Sequence, residues 1–97
     1  MPQENIRDIS LLRAEIDRID KELVAWFAAR MQVASEVAAY KRQTGMTVTD
    51  TAREETLLAR VESLSPGEIS GYTRTLYQTI LALSRAYQHE KLDSEND

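Results

Sequence analysis

Residues 26–41 read WFAARMQVASEVAAYK, and the spacing of this stretch decides the fold. Apolar side chains recur at Trp26/Phe27, Val33/Ala34 and Val37. Steps of three and four are the period of a helix, not of a strand. Upstream the same stripe runs back through Leu23, Ile19, Ile16 and Leu12. Two cations sit on it: Arg30, between Phe27 and Ala34, and Lys41, four residues after Val37. Neither has an acid three or four positions away. Those places hold Trp26, Phe27, Val33 and Ala34 around Arg30, and Val37, Ala38, Thr44 and Gly45 around Lys41. Eleven residues separate the two cations. That is three turns, so they share a face about 16 Å apart along the axis. An unpaired buried cation costs several kcal/mol. Either both side chains snorkel to water or reach a distant acid, or an anion completes them.

Working outward, Asp8 and Ser10 are both suitable caps for the start of this helix, and Gly45 is a natural stop. The helix is then about 34 residues and about 50 Å long. A compact chain of this size has a radius of gyration of only about 13 Å. The apolar stripe of so long a helix therefore needs a second copy to cover it, and an intertwined homodimer is expected. A second helix begins in Thr49–Glu55, TDTAREE, where Thr51 and Glu54 have capping-box spacing and Asp50 is the alternative cap. Leu57, Leu58, Val61 and Leu64 follow at helical spacing. Ser65–Glu68, SPGE, announces a third helix with a Ser cap, Pro at the first position and Glu three after the cap. Its apolar face is read as Ile69, Tyr72, Leu76, Ile80, Leu83 and Tyr87. Gly71 falls inside it, and MTVT at 46–49 reads as a loop. The expectation is an all-α chain of three helices, long, short and long. Residues 1–9 form a flexible tail, 10–92 the helical domain, and 93–97 a flexible tail or linker.

Composition narrows the function. The 97 residues suit one domain. There is no cysteine and a single histidine, His89, so neither a disulfide framework nor a Cys/His metal site is expected. No apolar run approaches the roughly 20 residues that span a bilayer, and the polar start MPQENIRD argues against a signal peptide. A cytoplasmic protein is expected. The net charge of −4 disfavours nucleic acid. Any anion site must be built from a few well-placed cations.

Other polar residues have ordinary explanations. Arg13 can pair with Asp17 at i+4. Arg53 can pair with Asp50, and Glu54 can close the capping box. Ser84 and Gln88 are one polar step on a face shared with Tyr77 and Leu81, a spacing more often found at the surface. His89 is most simply solvated, and Trp26 is core or interface. There is no nucleophile–base pair and no Gly-rich phosphate loop. Cations, amides and one or two carboxylates suit the binding of a small polyanion and the stabilisation of a charge-separated transition state, not covalent chemistry.

The ordered set LLRAEIDRIDKELV, AARM, EVAAYK, VTDTAREE and YTRTLYQTILALSRAYQ, from about Leu11 to Leu92, resembles the small all-helical chorismate mutases of bacterial type. The resemblance implies the rearrangement of chorismate to prephenate in phenylalanine and tyrosine synthesis, with no metal or cofactor. It implies substrate-binding roles for Arg13, contributed by the partner chain, and for Arg30, Asp50, Arg53, Glu54 and Ser84. Lys41 and Gln88 are implied as the catalytic donors to the ether oxygen. Thr51 and Ala52 depart from the larger or charged groups expected between Asp50 and Arg53. Three alternatives stay open. One is an isochorismate–pyruvate lyase, which lacks the acid that Glu54 supplies here. The others are a regulatory domain that binds chorismate or prephenate without turnover, and a helical dimerisation module with no ligand.

Overall fold

The computed structural model describes residues 6–95, so the ends of both expected tails lie outside the described residues. The chain is all-helical: α1 spans Ile9–Thr44, α2 spans Thr51–Leu64, a 3-10 turn covers Gly67–Ile69, and α3 spans Ser70–Glu95. The long, short, long order matches the sequence reading, and residues 46–50 between α1 and α2 are a loop. The helix continues through Asp93 to Glu95, beyond the expected start of the tail. The chain forms two compact units, Met1–Arg30 and Met31–Asp97.

In the N-terminal unit Asp8 starts α1. Its carboxylate accepts from the Ser10 N–H at 3.0 Å, and its carbonyl accepts from the Leu11 and Leu12 N–H groups. These bonds satisfy donors that the first helical turn leaves without an intrahelical partner. Arg7 pairs with Glu15, and Arg18 approaches Glu22 one turn on. Ile16, Ile19, Leu23 and Trp26 are exposed in the single chain. Trp26 is 74% exposed, so it is not core.

In the C-terminal unit α1 ends at Gly45, whose φ is +74°. The Met46 N–H then donates back to the Lys41 carbonyl at 2.9 Å. This six-to-one bond around a left-handed glycine closes the helix as a Schellman motif. Asp50 caps α2: its Oδ1 accepts from the Arg53 N–H at 3.0 Å. Thr51 is therefore the first helical residue and not the cap. Glu54 stands one position too late to close a capping box, which corrects the first of the two readings.

The start of α3 also differs from expectation. Ser65 closes α2 by donating its N–H to the Glu62 carbonyl, and its hydroxyl bonds Thr73 Oγ1 at 2.7 Å. Pro66 disfavours helical geometry in the residue before it, and both Ser65 (ψ 144°) and Pro66 (ψ 138°) are extended. One 3-10 turn follows before α3 begins at Ser70. Nothing in the structure requires a glycine at 71, where an added Cβ meets open space.

Helices α2 and α3 run antiparallel. Glu54 meets Arg85 at one end, Glu62 meets Arg74 further along, and Ser65 meets Thr73 at the other end. The apolar core is small: Ala34 and Ala38 from α1, Val48 from the loop, Leu58 from α2 and Leu81 from α3. The face of α3 turned inward thus carries Leu81, Ser84 and Gln88, not the expected apolar row. Ile69, Tyr72, Leu76 and Leu83 are exposed in the single chain. The apolar row read from the sequence therefore lies mostly outside the single chain's core, whose α3 face carries polar groups tied to one another.

Candidate active site

The site is built from the C-terminal unit. Ala34, Ala38 and Lys41 lie on one face of α1 and are all buried. Two alanines leave little bulk on that face, and Lys41 follows them. Its ammonium donates to the Val48 carbonyl at 2.6 Å and to Gln88 Oε1 at 3.3 Å. Gln88 in turn donates through Nε2 to Ser84 Oγ at 3.1 Å, one turn earlier on α3. Lys41, Ser84 and Gln88 are each more than nine-tenths buried. The three residues form one chain of hydrogen bonds linking α1, the 46–50 loop and α3.

The electrostatics are unusual for so small a core. Both acceptors around Lys41 are neutral, a peptide carbonyl and a carboxamide. Among the described residues no carboxylate forms an ion pair with it. Donor counting leaves room for a further acceptor. An ammonium has three N–H donors and a carboxamide two. Two of the first and one of the second are used here.

The Schellman turn matters for this geometry. It reverses the chain so that Val48 returns over Lys41, and Asp50 then starts α2 two residues later. Asp50 and Arg53 are exposed, while Glu54 is half-buried. The Asp50 carboxylate is joined to the Arg53 backbone, not to its guanidinium. Glu54 is held by Arg85, the residue after Ser84. The sequence reading missed Arg85. No local spacing signal marks it, and only the antiparallel register of α2 and α3 reveals its partner.

Arg13 and Arg30 belong to the N-terminal unit, Arg13 exposed and Arg30 half-buried on α1. Among the described residues neither guanidinium makes a hydrogen bond or ion pair, so the expected Arg13–Asp17 pair is not formed. A groove between α2 and α3, lined by Val61, Leu64, Ser65, Thr73 and Tyr77, has no cation and stands apart from this cluster. No grouping of potential ligands suited to a metal ion occurs among the described residues, and no described helix is long and apolar enough to cross a membrane.

Residues 12–89 match the family described as chorismate mutase type II. The chain belongs to that family. The match takes in Arg13, Arg30, Lys41, Asp50, Arg53, Glu54, Ser84 and Gln88, so a chorismate mutase type II domain contains every position named above. A T-protein of Haemophilus influenzae is 33% identical over 87 residues, which make up 88% of this chain and 21% of the relative. The chain thus spans about a fifth of the length of the curated relative it matches.

Proposed function

We propose that this chain is an isomerase that converts chorismate to prephenate, acting in the cytoplasm in phenylalanine and tyrosine synthesis. The observation that carries the reading is the buried Lys41 ammonium with two neutral acceptors and no carboxylate partner. A buried cation is costly unless a negative charge approaches it. An anionic substrate supplies that charge.

The rearrangement breaks the ether C–O bond and forms a C–C bond within one molecule, so no atoms are gained or lost. It needs no nucleophile. Negative charge grows on the ether oxygen as its bond to carbon lengthens. Donors aimed there stabilise the transition state more than the ground state. Lys41 and the second N–H of Gln88 take that role. Ser84, by accepting from Gln88 Nε2, fixes which way the carboxamide faces. Following the family resemblance, Arg30 and Arg53 are assigned to the substrate carboxylates, which guanidinium groups grip through forked, charge-assisted bonds, and Ser84 to the same carboxylate-binding role. Glu54 accepts from the ring hydroxyl, and Asp50 sets the start of α2 on which Arg53 and Glu54 stand. Selecting the compact conformer of the substrate removes rotational freedom before reaction.

The assembly proposed is an intertwined homodimer, with Arg13 reaching into the partner's site. Support comes from the exposed row Ile16, Ile19, Leu23 and Trp26 on α1 and from Tyr72, Leu76 and Leu83 on α3. Large apolar side chains left exposed in rows along a helix are what an interface between copies would cover.

The deciding experiment is incubation of the purified chain with chorismate and identification of the product. Prephenate formed without added metal or cofactor supports the reading. Stable chorismate beside folded protein would point to a binding domain. Release of pyruvate from isochorismate, with chorismate untouched, would make the chain a lyase.

A further inference from the structure

Glu54 poses a difficulty for a site that binds a dicarboxylate. Its own negative charge repels the ligand it is meant to orient. Arg85 answers it. Arg85 Nη1 donates to Glu54 Oε1, with 33% and 22% of the two side chains exposed. This partial shelter makes the pair stronger than a fully solvated one, although solvent still screens it. Arg85 stands beside Ser84 and three residues before Gln88, so the pair ties the first turn of α2 to the part of α3 that carries the polar cluster. Only Oε1 is engaged by Arg85, and Oε2 remains an acceptor.

We infer that Arg85 is a positioning residue for substrate binding: it cancels the Glu54 charge toward the dicarboxylate and fixes the carboxylate so that Oε2 receives the ring hydroxyl. The inference rests on the chorismate reading and adds to it a residue that acts through Glu54 and not on the substrate. Removing Arg85 alone leaves Glu54 uncompensated in an anion site. Removing both charges together takes away the repulsion along with its remedy.

The test is a double-mutant cycle on the full chain, using wild type, Glu54→Gln, Arg85→Met and the double variant, with kcat and KM for chorismate and the thermal midpoint of each. Methionine keeps an unbranched apolar side chain at this position while removing the charge. Arg85→Met is expected to raise KM about tenfold, with a smaller change in kcat. In the Glu54→Gln background the same substitution is expected to change KM by less than about twofold. Arg85→Lys is expected to restore much of the wild-type KM, and a cycle with the uncharged Arg85→Gln serves if Arg85→Met does not fold. An equal KM penalty in both backgrounds would overturn the inference, because Arg85 would then act without Glu54. So would an unchanged KM, or an activity loss that simply follows the fall in thermal midpoint. A folded wild type with no turnover defeats the chorismate reading itself, and the inference with it. An active wild type with an additive cycle defeats the inference alone.

Discussion

Lys41 and Gln88 lie 47 residues apart in the chain, and the Lys41 ammonium donates to the Gln88 carboxamide oxygen at 3.3 Å in the buried part of the C-terminal unit. This contact places a charge and a polar amide where a packed core would hold two apolar side chains. Such an arrangement works against stability and invites a functional explanation.

Lys41→Met should separate the two roles. The change fills similar volume and removes a buried charge, a replacement that is often neutral or stabilising. The opposing cost is the loss of the donor to the Val48 carbonyl, about 1–3 kcal/mol if that oxygen is left unsatisfied. Turnover should fall about 10²–10³-fold, the usual cost of one preorganised donor, while the thermal midpoint moves little. Gln88→Ala should behave alike, with a larger stability cost from the cavity it leaves. Steady-state kinetics and thermal melts on the same samples decide it. Loss of folding in step with loss of turnover would make both residues structural.

The two cations on the α1 stripe were legible in the sequence because helical spacing exposed their lack of local acids. Their outcomes differ in detail. Lys41 found neutral partners through a loop and a helix distant in sequence, contacts that no local period can show. Ser84 and Gln88 read as surface because a polar pair at i and i+4 usually is. They are buried because the Schellman turn at Gly45 and the register of α2 on α3 turn that face inward. Boundaries with one-residue chemistry, such as Gly45 and the Asp50 alternative, were readable. The SPGE start of α3 was not, since the Pro66 geometry inserts a 3-10 turn first.

Activity should not depend on an acidic solution. Gln88 donates through an amide that does not titrate, so no protonation is needed to make it a donor. Turnover measured from about pH 5 to about pH 8, a range in which histidine is the side chain that ordinarily titrates, should show no maximum confined to the acid end. A sharp acid optimum would mean that some other group supplies the proton-bearing donor to the ether oxygen.

Asp50 offers a test of cap against charge. Asp50→Ala removes the acceptor for the Arg53 N–H and should cost about 1 kcal/mol of stability. Asp50→Asn keeps an oxygen in place, so stability should stay near wild type while the charge is lost. If asparagine preserves turnover as well, Asp50 serves by starting α2 correctly. If asparagine is stable but slow, its charge acts on the substrate or on Arg53. Denaturant melts with kinetics on both variants separate these outcomes.

Complementation between inactive chains tests the shared site. Arg13→Ala and Lys41→Ala are each expected to be nearly inactive alone. If Arg13 serves the partner's site while Lys41 serves its own, a mixed dimer contains one site damaged twice and one intact. Unfolding and refolding equal amounts together yields about half mixed dimers by random pairing, each with one working site. Because dimers of this kind are symmetric, the same surfaces meet in every pairing and neither mutation should bias it. The expected recovery is thus about a quarter of wild-type activity per chain, far above either parent. Light scattering on the mixture checks that dimers have formed. Dimers without any recovery would place Arg13 in the site of its own chain, or outside the site altogether.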